Sequence, residues 1–185
     1  MSVTIERHID DRTRLELVEL YAEAFEPLRT KTATKQTLAA HEFSALLDYD
    51  STVLFLSRDS TGAVTGFAVG VGDLKLIPWI NPEYFQERFP EHSQQGRLAY
   101  MPTFLVHPEH QKGVTLLRIA AAVSSYYGER NCVLAMDCCQ HNIDVEHFPS
   151  ILERAASRFT PTTLEEIDRQ VYWAYILGEE NHPES

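Results

Sequence analysis

The chain has 185 residues, 44% of them hydrophobic and 23% charged, which is enough apolar material for one core and excludes disorder as the main state. A formal net charge of −11 excludes general nucleic-acid binding, which needs a clustered positive surface, but not a small anionic ligand in a local basic pocket. No apolar run approaches the ~20 residues that cross a bilayer, Met1 to Asp11 lacks the apolar stretch of a secretory signal, and Cys132, Cys138 and Cys139 show no metal-ligand spacing; a cytoplasmic, reduced protein with no metal and no membrane contact is expected.

Val3 to Ile9 predicts a short first strand. Asp10 and Asp11 then offer capping carboxylates for a helix, on which Leu15, Val18, Ala22 and Phe25 recur at helical spacing until Pro27 ends it. A second helix is expected from Thr34 to Leu47, burying Leu38, Phe43, Leu46 and Leu47. Thr52 to Ser57 and Val64 to Val71 predict a hairpin around Asp59 to Gly62. Asp73 to Gly96 is punctuated by Pro78, Pro82 and Pro90 and weighted by Tyr84, Phe85 and Phe89, so it reads as an irregular but packed flap or binding loop.

Leu98 to Val106 predicts a strand whose ladder is interrupted by Pro102, which has no N–H to donate. Gly113 to Tyr127 predicts a helix with Leu116, Ile119, Ala120, Val123 and Tyr127 on one face. Cys132 to Cys138 reads as a strand, Glu146 to Phe159 as a helix and Gln170 to Leu177 as a final strand. The expected organisation is one domain over residues 1–178 and a polar tail over 179–185. The unit from Leu98 to Cys138 requires a right-handed crossover between parallel strands, whereas the hairpin before it is antiparallel. The fold class is therefore α/β (α+β), a mixed sheet with helices on both faces.

The stretch from Tyr100 to Leu117 carries chemistry. A strand ends at Val106, a loop brings His107, His110 and Lys112, and a helix opens at Gly113-Val114. A helix start presents unpaired N–H groups and partial positive charge, glycine permits close backbone approach, and the basic side chains add local charge. The spacing is that of a phosphate site, and equally that of a βα loop with a solvated basic cluster.

On these residues the chain resembles the GCN5-related N-acetyltransferase (GNAT) superfamily. The family's fourth strand ends in an apolar-Val-x-Pro-Glu pattern, matched by Leu105-Val106-His107-Pro108-Glu109. Its pyrophosphate turn, Arg/Gln-x-x-Gly-x-Gly/Ala, corresponds to His110-Gln111-Lys112-Gly113-Val114-Thr115, with His110 and Thr115 departing from the pattern. The resemblance implies a GNAT-like central mixed sheet and an N-acyltransferase that moves an acyl group, acetyl by default, from acyl-CoA to a small-molecule amine by direct attack. It implies that backbone groups of Phe104, Leu105 and Val106 bond the pantetheine arm, while Lys112, Gly113, Val114, Thr115 and Leu116 hold the pyrophosphate. Pro102 is expected either to help the strand splay from its neighbour, freeing backbone groups for the cofactor, or merely to mark a bulge.

Such transfer needs a proton acceptor for the ammonium, donors for the developing oxyanion and a proton for the leaving thiolate. The family's usual tyrosine acid falls on Arg154 when its Tyr-x-x-x-Gly-Phe ending is aligned on Ser157-Arg158-Phe159. Tyr100, Asp137 and His141 are then the leading catalytic candidates, with Cys138 and His147 behind them, because all lie near the ends of the two central strands. Asp137 stands out as a carboxylate that interrupts an apolar strand. No cysteine or serine is paired with an orienting base. In the flap, Phe89-Pro90-Glu91 resembles an element of acyl-homoserine-lactone and N-acyl amino acid synthases, whose Glu-x-Ser-Arg signature is absent here. That likeness implies an alternative donor, an acyl-carrier-protein thioester, with Trp79, Tyr84, Phe85 and Phe89 lining an acyl pocket. A third reading is a GNAT-like ligand sensor or partner domain without catalysis. Glu23, Glu26 and Glu42 suit a cationic acceptor and equally read as ordinary solvated helix residues, and an exposed final strand suits pairing into a homodimer.

Overall fold

A computed structural model describes residues 3–33, 38–110 and 114–177. Five strands, β1 (Val3–Glu6), β2 (Thr52–Arg58), β3 (Val64–Val71), β4 (Leu98–Val106) and β5 (Val133–Ala135), form one sheet in the order β1-β2-β3-β4-β5. The first three pairings are antiparallel and β4 with β5 is parallel, the mixed sheet that the order of elements predicts. Seven helices are described: α1 (Asp11–Phe25), α2 (Ala40–Leu46), α3 (Pro82–Arg88), α4 (Pro90–Gln94), α5 (Thr115–Gly128), α6 (Gln140–Asp144) and α7 (Phe148–Ala156).

Each sheet face carries its own core. Leu54, Leu56, Phe67, Val69 and Val71 meet Leu17, Leu20 and Tyr21 of α1 and Phe43 and Leu46 of α2. On the other face Val53, Phe55 and Ala68 meet Ile119, Ala120, Val123 and Tyr127 of α5, with Ala155 of α7 beside them. All eight residues of β3 are buried, as expected for a central strand covered on both faces. The Asp10 carboxylate caps α1, accepting from the Thr13 N–H at 2.7 Å, and Gly62 takes the left-handed backbone of the β2–β3 turn with φ +92°.

Several expectations are corrected. In α1 the buried stripe is Leu17, Leu20 and Tyr21, while Leu15 is 63% exposed. Both sets recur at helical spacing, and the choice falls to the set that meets α2, where the Tyr21 and Phe43 rings stack at 4.1 Å. The second helix begins at Ala40, and the expected turn over 34–37 lies outside the described residues. The flap, expected to be irregular, contains a 3-10 turn and two short helices, α3 and α4, each begun by a proline at its first position, where the missing N–H costs nothing. The strand expected over Cys132 to Cys138 stops at Ala135, and α6 follows in a stretch to which the sequence assigned no element. The final strand from Gln170 to Leu177 is not formed: the segment is irregular, with Trp173 84% and Tyr175 89% exposed. Its apolar composition suits a strand, but a strand needs a neighbour's backbone to complete its ladder.

Candidate active site

The site begins with an irregularity in β4. Val106 to Thr103 pair in step with Gly66 to Val69, but Val71 then pairs with Tyr100. Two residues, Met101 and Pro102, therefore stand against the single residue Gly70, which is a β-bulge. The bulge reverses the side-chain alternation. Tyr100 and Leu105 face the α1/α2 core, whereas Met101 and Phe104 face α5.

Pairing between β4 and β5 ends at the same place. Leu98, Ala99 and Tyr100 match Val133, Leu134 and Ala135, and no pair follows. Beyond it β4 runs on from Met101 to Val106 with, among the described residues, no strand partner on the side away from β3. The bulge and the parting expected at Pro102 thus occur together. Phe148, at the start of α7, packs edge-on against Phe104 with ring centroids 5.9 Å apart.

The helix after β4 opens at Thr115, which is buried, with Leu116 half-buried and Val114 exposed in front of it. Among the described residues no side chain caps this end. Of the residues expected at a pyrophosphate turn, Lys112 and Gly113 lie outside the described residues. His107 and His110 stand together before the turn, their ring centroids 5.6 Å apart.

Tyr100 and Asp137 come into direct contact. The Tyr100 hydroxyl donates to the Asp137 carboxylate, and the Trp79 ring lies edge-on to the Tyr100 ring with centroids 6.4 Å apart. Tyr100 is 1% exposed. Burial, reinforced by the Asp137 charge, pushes its phenol well above the usual range, so it stays a protonated donor. Asp137 itself is exposed just past the end of β5. Tyr21 joins the group from α1: burial raises its phenol, with smaller contributions from the charges of Asp137 and Glu42. Its hydroxyl accepts from the Leu38 N–H at 3.0 Å.

His141 is held differently. Its Nε2 lies 3.4 Å from Lys31 Nζ and 3.7 Å from a Glu146 carboxylate oxygen. His147, the residue before α7, has left-handed backbone with φ 52°. Burial, with lesser help from Cys139 and Asp137, pushes the Cys138 thiol up to about 12, which leaves almost no thiolate near neutrality.

Sequence reading missed Tyr21 and Thr103. Tyr21 was readable only from the Leu17-Leu20-Tyr21 stripe, and Thr103 had no sequence signal. Thr103 sits on the unpaired stretch of β4, 2% exposed, and its Oγ1 is buried with no hydrogen-bond partner among the described residues. A buried hydroxyl is ordinarily bonded. An orphaned one beside strand backbone that lacks a neighbour fits the amide-rich pantetheine arm of a CoA thioester. A separate cavity of about 120 Å³ lies beside Gly72, Lys75, Gln86 and Gly96, near the start of β4, and touches none of these residues.

No protein-family model and no curated relative matches the chain. Solved structures do. A tetramutant of a Bacillus halodurans protein is similar at a TM-score of 0.61 and 14% identity, over 95% of this chain and 100% of that one. AAC(6')-Iy, in complex with a CoA-S-monomethyl-acetylneamine bisubstrate analogue, is similar at 0.54 and 13%, over 95% and 99%. A ribosomal-protein-alanine N-acetyltransferase from Brucella melitensis is similar at 0.51 and 13%, over 95% and 100%. The fold is that of the GCN5-related N-acetyltransferases.

Proposed function

We propose that this chain is an N-acyltransferase that moves an acyl group, acetyl by default, from acyl-CoA to a small-molecule amine. The observation that carries this reading is the parting of β4 from β5 beyond Tyr100 and Ala135, which leaves one side of β4 open beside the start of α5. AAC(6')-Iy, with its CoA-linked bisubstrate analogue, supports the donor class. The raised Cys138 thiol favours direct attack by the amine over a cysteine-bound intermediate.

Backbone groups of Phe104, Leu105 and Val106 hold the pantetheine arm as an added strand is held. Lys112, Gly113, Val114, Thr115 and Leu116 hold the diphosphate at the helix start. Bound there, acyl-CoA supplies an activated thioester carbonyl. Asp137 attracts the ammonium of the acceptor and takes its proton, freeing the lone pair. Tyr100, protonated and fixed by packing, holds the Asp137 carboxylate, and Trp79 at 41% exposure offers the acceptor an aromatic wall. His141 positions the segment after β5 through its contacts with Lys31 and Glu146.

The test is calorimetry with acetyl-CoA, together with amine-dependent release of free CoA thiol. The wild type is expected to bind in the micromolar range, and Gly113→Glu to lose binding by clash and repulsion while keeping its circular dichroism. Unchanged affinity in Gly113→Glu refutes the donor site. Tight binding with no turnover on any panel of amines refutes the enzyme.

A further inference from the structure

We infer that His141 is a proton-operated clasp across the candidate active site: neutral, it binds Lys31 and draws the turn after α1 against the segment that carries Asp137, and protonated, it goes over to Glu146 and releases that turn. The observation is that one ring nitrogen, Nε2, faces two partners with opposite demands. Lys31 Nζ lies 3.4 Å from it and a Glu146 carboxylate oxygen 3.7 Å. An ammonium has only protons to give, so Nε2 offers Lys31 a lone pair and the ring proton sits on Nδ1. A carboxylate only accepts, so Glu146 needs a proton on that same nitrogen. One atom cannot serve both at once.

The distances say which partner holds the ring. Lys31 is within hydrogen-bond reach, whereas Glu146 is near enough for attraction but not for a hydrogen bond. Protonation takes away the lone pair that Lys31 uses and sets two like charges side by side, while it gives Glu146 an opposite charge to draw in. A small swing of the ring then closes the second bond. The proton comes from water and no other bond changes. The His141 side chain is 21% exposed and that of Glu146 60%, so the exchange with solvent needs no opening of the core. Histidine is also the side chain suited to changing charge between about pH 5 and 8.

Other titratable groups on the surrounding elements have bonds of their own. Before Lys31, Glu26 and Arg29 pair with each other. On α6 itself Asp144 accepts from Gln140 and faces Arg169, and Asp137 accepts from Tyr100. Beside α6, α7 turns its Glu153 to the Leu164 N–H and carries His147 and Arg154. The two ends of the clasp stand on opposite sides of the site. Lys31 ends the 3-10 turn Glu26–Thr30 that continues α1, the helix of Tyr21, while His141 lies in α6 just past Asp137. The Asp137 charge reaches the Tyr21 phenol, so the two segments converge on the same carboxylate. The consequence for catalysis, and that alone, rests on the N-acyltransferase reading: the clasp shapes the wall of the acceptor site and touches no reacting atom, so it acts on acceptor binding.

Nitrogen-15 NMR of the histidine rings in the full-length protein, with no donor or acceptor added, tests the clasp apart from the enzyme. At about pH 8 the His141 Nε2 should be unprotonated and its Nδ1 protonated, and Lys31→Met should reverse that tautomer. Lys31→Met removes a positive neighbour and should move the midpoint of the ring's titration up; Glu146→Gln removes a negative one and should move it down, each by about half a pH unit. Hydrogen exchange, corrected for the intrinsic effect of pH, should show amides of 26–31 and 140–145 loosening together between about pH 8 and about pH 5.5, and already loose at the higher pH in Lys31→Met. With acyl-CoA and an amine, Lys31→Met should raise the acceptor KM about two- to tenfold with kcat nearly unchanged, and Lys31→Arg should recover most of that loss. A ring protonated on Nε2 at the higher pH, midpoints that fail to move in opposite directions, or exchange indifferent to pH overturns the inference even where amines are acylated. The expected signatures in a protein that acylates nothing uphold the clasp and overturn only the enzyme.

Discussion

Replacing Tyr100 with phenylalanine removes one oxygen and leaves the packing in place. The ring keeps its edge-on contacts with Phe85 at 6.3 Å and Trp79 at 6.4 Å, so little apolar burial is lost. What goes is the hydroxyl that donates to Asp137. A hydrogen bond to a charged group contributes about 1.5–3 kcal/mol when both ends are buried. Here Asp137 is exposed, so water replaces its lost partner, and the expected stability cost falls to about 0.5–1 kcal/mol. For a chain of this size that lowers Tm by roughly 1–4 °C. Activity should fall further, because water holds the carboxylate in no single orientation: about tenfold in kcat, equivalent to roughly 1.4 kcal/mol. Asp137→Asn, which removes the proposed proton acceptor, should lose about 10²–10⁴-fold.

The pH dependence has a defined sign. The Tyr100 phenol is raised above its ordinary value of 10.0 in the folded state, so it titrates in the unfolded chain first. Its stabilising contribution is complete below pH 10 and declines above it. The stability lead of the wild type over Tyr100→Phe should therefore shrink in alkali. The assays are thermal unfolding from pH 7 to 10.5 and amine-dependent thiol release. A loss of more than about 3 kcal/mol with kcat unchanged would refute the reasoning, showing Tyr100 and Asp137 to be a structural pair.

Two further outcomes are expected. Cys138→Ala should keep at least half of the activity, and in the wild type iodoacetamide should alkylate this thiol at least tenfold more slowly at pH 8 than a free cysteine, since burial holds it up to about 12; mass spectrometry of the modified peptide checks the rate. Gly70→Ala places a methyl group 3.0 Å from the ring carbon Cζ of Tyr127, and nearer still to its hydroxyl, so it should cost about 1–3 kcal/mol by overpacking. Tyr127→Phe in the same chain should recover part of that loss in urea unfolding; full stability in Gly70→Ala alone contradicts the contact.

Strands β2, β3 and β4 were legible in the chain because alternating or continuous apolar runs ended at strong turn signals. The parallel pairing of β4 with β5 followed from the helix between them, and the open side of β4 was foreshadowed by Pro102, the one residue there unable to donate. Elsewhere local pattern left ties. Two stripes on α1 satisfy helical spacing, and only the position of Phe43 selects Leu17, Leu20 and Tyr21. The contact of Tyr100 with Asp137 joins residues far apart in sequence, and it depends on the bulge that turns Tyr100 toward the α1/α2 face. The segment 171–177 is the clearest case. Its composition suits a strand, yet the segment is irregular, because a strand's ladder is completed only by another strand's backbone and no local preference encodes that partner.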